Sequence, residues 1–129
     1  MIVRPVDALP ERGALGLVDL IVLRGGGSAL NTASALARLG MSAAVVGKVG
    51  VDAFGDFIVA ALDERGVDAS GVIRDAKTPT SATVALVDAA GERTFLHATG
   101  ANAKLTAGEL RDEPFRGRAL LIAGALVLD

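Results

Sequence analysis

A glycine-rich turn at residues 25–27, followed by Asn31, is the part of this chain best suited to chemistry. Glycines let backbone N–H groups approach a ligand closely, and a helix N-terminus favours negative or strongly polar groups. The side-chain amide of Asn31 can both donate and accept hydrogen bonds. These residue types fit a turn that holds a small hydroxylated molecule.

The same turn has three other interpretations. Gly25 and Gly27 match the first two glycines of a dinucleotide-binding fingerprint, but Leu30 occupies the third position, so that pattern fails. A Walker A loop needs Gly-Lys-Ser/Thr after four spaced residues, and none is present. The third is an ordinary tight turn with Asn31 near a helix start. From the residues alone, that last interpretation is favoured.

The elements around the turn follow an alternating pattern. In chain order we predict a strand at 18–23, a helix at 31–39, a strand at 43–49 and a helix at 53–65. Gly40 and Gly66 stand where the two helices end and a left-handed residue is favoured. The alternation of strands and helices predicts βαβ units and a parallel sheet.

The second half of the chain has a different pattern. Two strand-length segments, 82–88 and 93–98, are joined by a short link and predict an antiparallel hairpin. Thr106 and Glu109 have capping-box spacing, which predicts a short helix after Thr106. The apolar run at 119–128 predicts a further central strand. We therefore expect an α/β domain with an embedded hairpin layer.

Composition limits the classes of function. The 129 residues suffice for one domain, and aromatic residues make up only 3%, too few for a base-stacking platform. The net charge is -2, so the chain lacks the excess of basic residues that is typical of a nucleic-acid-binding protein. There is no cysteine, and no apolar run approaches the roughly 20 residues that span a bilayer. We expect a cytoplasmic protein without nucleic-acid or membrane partners.

Several motifs occur in a fixed order along the whole chain. They are LPERG at 9–13, GGSALNTA at 26–33, ARLG at 37–40, GKVGVDAFG at 47–55, LDERGVD at 62–68, GERTF at 91–95, and GAN at 100–102 with Leu105. This ordered set resembles the N-terminal portion of PfkB-family (ribokinase-like) carbohydrate kinases. The resemblance implies an α/β fold whose parallel central sheet is flanked by helices and carries a small β lid. The lid strands would fall within about 2–23 and 82–98, and the α/β core within 24–75 and 105–129.

The resemblance also implies an activity. Such kinases transfer the γ-phosphoryl group of ATP, with Mg²⁺, to a hydroxyl of a sugar or nucleoside. Gly26, Gly27 and Asn31 would bind substrate hydroxyls, with Ser28 a weaker candidate, and closure of the lid would exclude water. A homodimer through the lid strands is a further expectation, because unpaired strand edges favour association. The alternative is a non-catalytic α/β module that binds a small polyol or associates through its lid strands.

The catalytic parts implied by the resemblance are missing from the sequence. The family's base is an aspartate in a C-terminal DTxGAGD segment, so the base and the ATP and Mg²⁺ determinants are expected beyond residue 129. Asp56, in Phe54-Gly55-Asp56, lacks that context and is interpreted as a first-turn helix acid. The family's first-strand aspartate would fall near Met1, and Asp7 has the wrong spacing. We expect the N-terminal half of a longer kinase.

The remaining polar residues are assigned structural roles. His97, the only histidine, is expected on a hairpin strand, and Arg93 on the hairpin surface, with contact to an anionic substrate group as the alternative. Asn102 is expected to be structural and to tolerate a left-handed conformation. Glu109, Asp112 and Glu113 are interpreted as a solvated acidic cluster, and no residues have metal-ligand spacing.

Overall fold

The computed structural model describes residues 1–110 and 117–123. In chain order the regular elements are β1 (Ile2–Arg4), β2 (Leu20–Val22), α1 (Ser28–Arg38), β3 (Ala44–Gly50), α2 (Ala53–Asp63), β4 (Asp68–Asp75), β5 (Ala82–Val87) and β6 (Arg93–Ala98), followed by two 3₁₀ turns, Ala101–Lys104 and Ala107–Glu109. They form two compact units. The first unit contains Met1–Arg24 and Ala82–Ala98, and the second contains Gly25–Ser81 and Thr99–Asp129.

The first unit is a small four-stranded sheet with strand order β2-β1-β5-β6. β1 is antiparallel to β2 and parallel to β5, and β5 and β6 form an antiparallel hairpin. The hairpin register pairs Ala82 with Ala98 and Val87 with Arg93. The sequence prediction of a hairpin is thereby confirmed, whereas the strand predicted at 18–23 is shortened to Leu20–Val22.

The second unit contains a parallel βαβ arrangement. β3 and β4 are parallel neighbours, and α2 connects them. Leu30 and Ala33 of α1 and Leu62 of α2 pack with Val67 in a common core, and Leu62 is completely buried. The three-residue spacing of Leu30 and Ala33 places both on one helix face, which is why α1 can cover the sheet with that face. The predicted parallel sheet is confirmed for this pair of strands.

Four local features differ from the sequence predictions. Helix α1 starts at Ser28, three residues before the predicted start, and β4 was not predicted as a strand. Asn102 lies in a 3₁₀ turn, and the left-handed backbone belongs instead to Gly100, with a φ of 54°. Residues 119–123 of the predicted final strand form no strand, and the rest of that run lies outside the described residues.

The signals predicted at the ends of the helices are present in the structure. Gly40 and Gly66 follow α1 and α2 with φ values of 78° and 70°, the left-handed conformation that glycine adopts without a steric penalty. Thr106 and Glu109 form the predicted capping box, although the helix that follows is only a 3₁₀ turn.

Within the described parts of the chain, no helix has the length and apolar character that crossing a membrane requires.

Candidate functional site

The N-terminus of α1 begins at the glycine-rich turn. Gly27 is the N-cap residue, with a φ of 94° and a ψ of 147°, and its carbonyl accepts a hydrogen bond of 3.0 Å from the backbone N–H of Asn31. No side chain caps this helix within the described residues. The first-turn N–H groups are orphan donors in any helix, so here they remain available to a ligand.

Space is left beside the two glycines of this turn. A Cβ atom built at Gly26 or Gly27 would meet no described atom within 4 Å, whereas at Gly25 it would lie 3.4 Å from a methyl carbon of Leu30. Gly27 needs glycine because of its positive φ. Gly26 has neither a positive φ nor a close neighbour. The described fold therefore gives no packing reason for glycine at position 26.

Asn31 projects from the first turns of α1 on its exposed side. Its neighbours Leu30, Ala33 and Ser34 are buried, so the opposite face of the helix is fixed against the core. The side chain of Asn31 makes no hydrogen bond to any residue described between 1 and 110 or 117 and 123. Ser28 is also exposed. The four predicted binding residues thus lie in one exposed turn, with backbone donors and a free amide.

The N-terminus of α2 has the opposite character. Asp52 is its N-cap residue, and its Oδ1 accepts hydrogen bonds from the backbone N–H of Gly55 at 2.8 Å and from the Thr80 hydroxyl at 2.6 Å. Its Oδ2 accepts from the backbone N–H of Thr80 at 2.8 Å. Thr80 is buried, and its Oγ1 accepts a hydrogen bond of 2.9 Å from the backbone N–H of Gly50. We call these four residues the Asp52 cluster.

The hydrogen bonds of the Asp52 cluster favour the ionised carboxylate. The Thr80 hydroxyl, followed by the backbone donors of Thr80 and Gly55, holds the pKa of Asp52 below its ordinary value. The glycines are sterically required. A Cβ at Gly55 would lie 2.2 Å from the Gly50 carbonyl oxygen, and one at Gly50 would lie 2.7 Å from the Thr80 nitrogen. Gly50 and Gly55 of the GKVGVDAFG motif are therefore needed for close packing within the protein.

Asp56 follows this turn and takes part in a contact between elements. It lies in the first turn of α2, as predicted, where a carboxylate interacts favourably with the helix dipole. Its side chain is exposed and forms an ion pair with Arg74 of β4. Asp56 thus joins α2 to its neighbouring strand.

Lys48 forms a partly buried ion-pair network that the sequence did not reveal. Its Nζ lies 2.6 Å from a carboxylate oxygen of Glu109 and 3.5 Å from one of Asp75, and it donates to the Lys104 carbonyl at 3.3 Å. The hydrogen bond with Glu109 raises the pKa of Lys48 and lowers that of Glu109. Glu109 is thus a partly exposed carboxylate paired with Lys48, and the predicted solvated cluster is not tested, because its other two members lie outside the described residues.

Five other polar residues were considered in the sequence. Three of them lie in the first unit, and two lie outside the described residues. His97 is exposed on β6, with its Nδ1 2.8 Å from the Thr83 hydroxyl. The guanidinium of Arg93 lies over the Phe95 ring, 6.0 Å from its centroid. Asp7 accepts a hydrogen bond of 2.9 Å from the Ala89 backbone. Asp112 and Glu113 lie outside the described residues. Within the described ranges, no three carboxylate or imidazole groups converge as metal ligands.

A parallel βαβ arrangement in one unit and a small four-stranded sheet in the other define an α/β protein. The particular family follows from comparison with known proteins. The model of the pfkB family of carbohydrate kinases matches residues 1–129, and the chain belongs to this family. The predicted family is thereby confirmed.

Curated relatives include several fructokinases. Fructokinase-1 of Oryza sativa is 36% identical over 127 residues, which are 95% of this chain and 39% of the rice protein. A fructokinase of Vibrio alginolyticus is 43% identical over 90 residues, covering 70% of this chain and 28% of that protein. The chain therefore spans less than half the length of these curated relatives.

Solved structures give the same fold. The crystal structure of a fructokinase from Xylella fastidiosa matches with a TM-score of 0.72 and 31% identity, covering 89% of this chain and 34% of that one. An uncharacterized sugar kinase from Pyrococcus horikoshii in complex with ATP matches with a TM-score of 0.73 over 88% of this chain and 36% of that one, and its 24% identity supports the fold alone. The predicted ribokinase-like α/β class, represented by an N-terminal portion, is confirmed.

Proposed function

We propose that the complete polypeptide carrying this chain phosphorylates a hydroxyl of a sugar with ATP, and that this chain supplies the substrate-binding side. The observation that carries the proposal is the open N-terminus of α1. It has no side-chain cap, no described atom within 4 Å of a Cβ at Gly26 or Gly27, and an exposed Asn31. Membership of the pfkB family supports the same conclusion.

Each residue of the turn has a distinct proposed role. Gly26 and Gly27 let a substrate hydroxyl approach the backbone N–H groups at the start of α1, which favour an electron-rich oxygen. Asn31 donates one hydrogen bond and accepts another, so it can orient a hydroxyl that does both. Ser28 adds a hydroxyl at the edge of the turn and is the weaker contact.

Fructose is the first substrate to test. Curated relatives in Oryza sativa, Zea mays and Vibrio alginolyticus carry the name fructokinase. The open turn itself accommodates hydroxyls without a feature that selects one sugar. Ribose, a ketodeoxy sugar acid, a phosphorylated sugar and a nucleoside therefore belong in the same screen.

ATP and Mg²⁺ are proposed as the phosphoryl donor and its metal. One of the similar structures is a fructokinase from Xylella fastidiosa with bound ATP. Among the described residues no cluster of metal ligands exists, so we assign no ATP or Mg²⁺ contact to them. The nucleotide site and the catalytic aspartate are proposed to lie beyond residue 129. Cytoplasmic location, a lid formed by the first unit and a homodimer through its strands remain predictions.

The first experiment is a substrate screen with the complete polypeptide. ADP formation is measured with ATP and each candidate sugar or nucleoside. We expect turnover with fructose or a related sugar. A polypeptide that binds a polyol but forms no ADP with any acceptor would instead support the non-catalytic module.

A matched pair of asparagine variants tests the site. Asn31→Ala removes the proposed substrate contact, and Asn102→Ala makes the same chemical change at the chain's other asparagine. We expect Asn31→Ala to raise the KM for the sugar about tenfold or more, as for loss of a hydrogen bond to a bound hydroxyl, and to leave the KM for ATP unchanged. Equal effects of the two substitutions would contradict the assignment of Asn31.

A further inference from the structure

The last part of the second unit that the structure describes without a gap, residues 101–110, contains two short 3₁₀ turns. Hydrogen bonds in such turns have poorer geometry than those of an α-helix, so the segment needs support from the rest of the unit. Its first residue has that support, because Ala101 is completely buried and its N–H donates to the Pro79 carbonyl at 2.7 Å. We call the remainder, residues 103–110, the distal segment.

The distal segment has few contacts that could hold it in place. Its residues are exposed, apart from the half-buried Leu105 and Glu109. The backbone N–H groups of Leu105, Glu109 and Leu110 donate only to carbonyls three residues earlier, at 3.1 to 3.3 Å. Among the described residues, its hydrogen bonds to a distant part of the chain all come from one group, the ammonium of Lys48 on β3.

The Lys48 ammonium has an acceptor for each of its three N–H donors. Two acceptors belong to the distal segment: the Glu109 carboxylate at 2.6 Å and the Lys104 carbonyl at 3.3 Å. The third is the carboxylate of Asp75, the last residue of β4, at 3.5 Å. Lys48 is only 9% exposed, so water does not readily replace an acceptor that moves away. Departure of the distal segment would remove two of the three partners from a buried charge.

We propose that Lys48 controls a local opening of the second unit, in which the distal segment leaves β3 while β3, α2 and β4 stay folded. Parts of a protein with few buried apolar side chains and exposed backbone hydrogen bonds open at a lower free energy than the whole fold. The distal segment meets both conditions, whereas Leu62 and Val67 bury the core side of the βαβ arrangement. The proposal goes beyond the proposed function and does not depend on it, because all of these contacts lie within the second unit.

Amide hydrogen exchange of the complete polypeptide tests this role with the variant Lys48→Met. Methionine keeps an unbranched side chain but has no ammonium. We expect the amides of Leu105, Glu109 and Leu110 to exchange about tenfold faster or more, because hydrogen bonds to a charged group are among the strongest that a side chain makes. Amides in the middle of α2 should stay within about twofold of the wild type.

Arg74→Met is the matched control. Arg74 lies on the neighbouring strand β4, and its substitution removes an exposed ion pair with Asp56 without touching the distal segment. The three amides should therefore exchange at wild-type rates in this variant. If Lys48→Met does not fold, Glu109→Gln removes the charge from the same contact, with Asp56→Asn as its control. We then expect about threefold faster exchange, because glutamine still accepts a hydrogen bond.

Exchange in low concentrations of urea separates local from global opening. A local opening exposes little surface, so the rates of the three amides should depend weakly on urea. Amides that exchange only through global unfolding should depend on it steeply.

Three results would overturn the proposal. The first is wild-type exchange of the three amides in Lys48→Met, or in Glu109→Gln if that variant replaces it. The second is an equal acceleration in the middle of α2 with the same dependence on urea, because the opening would then be global. The third is an equal acceleration in the control variant. A polypeptide that phosphorylates no sugar would contradict the proposed function without affecting any of these measurements.

Discussion

The two helices of the second unit begin in contrasting ways. α1 begins after the open turn at Gly26 and Gly27, where no side chain provides a cap within the described residues. α2 begins after a turn in which Asp52 caps the helix and accepts a hydrogen bond from the backbone N–H of Thr80. Both turns are rich in glycine, and both precede a helix of 11 residues. One is closed by hydrogen bonds and packing, and the other is left open.

The absence of a side chain has different consequences in the two turns. At Gly50 and Gly55, the missing side chain makes room for other parts of the same protein. At Gly26, the missing side chain leaves room that no described residue fills. Whether the space beside a glycine is filled can be judged from the structure but not from the motif.

The largest effect on stability is expected from a substitution that disrupts the turn before α2. Gly55→Ala would place a Cβ 2.2 Å from the Gly50 carbonyl oxygen, so backbone must shift. We expect a loss of about 3 kcal/mol in the free energy of unfolding, the upper range for overpacking a buried site. Urea unfolding of the complete polypeptide measures it. Gly108→Ala is the control, because its Cβ would meet no described atom within 4 Å, and it should change stability by less than about 0.5 kcal/mol.

A smaller effect on stability is expected from Asp52→Asn, which removes the charge of the side chain but keeps its shape. Its pKa is lowered in the folded protein, so the ionised carboxylate stabilises the fold above the ordinary aspartate pKa of about 4. That contribution is lost as the pH falls through the lower, folded-state pKa. Asp52→Asn should therefore be less stable than the wild type at pH 7, by about 1–2 kcal/mol, and the difference should shrink on acidification.

Thermal unfolding midpoints between pH 7 and pH 2 measure this difference. The carboxylates of Asp68, Asp75 and Glu109 also have lowered pKa values, so the variant retains part of the acid sensitivity of the wild type. A constant gap between the two profiles over the whole range would contradict a role for the charge of Asp52.

Local rules predicted much of the fold from sequence. Gly40, Gly66 and the capping box of Thr106 follow from short-range geometry, and the hairpin follows from the lengths of its two strands and link. β4 was missed because Ser70 and Gly71 interrupt its apolar pattern. The early start of α1 was missed because the glycines directly before Ser28 favoured a turn over a helix in the sequence pattern.

Contacts between distant residues could not be predicted in the same way. Lys48 and Glu109 are 61 positions apart, and Asp52 and Thr80 are 28 apart, so neither pair has a signal in sequence spacing. Such pairs follow only from the topology that brings their segments together. For the candidate site, the residues alone favoured an ordinary turn, and the family resemblance gave the binding role. The structure adds the open space at Gly26, and the role itself remains a prediction.

The smallest effect on stability is expected at the open turn, where it is most informative. Gly26 has no positive φ, and a Cβ there meets no described atom within 4 Å, so Gly26→Ala should leave stability unchanged or raise it by up to about 1 kcal/mol. If a sugar hydroxyl occupies that space, the added methyl group displaces it, and the KM for the sugar should rise about tenfold while the KM for ATP stays constant. Urea unfolding and steady-state kinetics of the same preparation measure both quantities. A variant with unchanged stability and unchanged KM would mean that the space is merely solvent, and the contrast between the two turns would then lose its functional meaning.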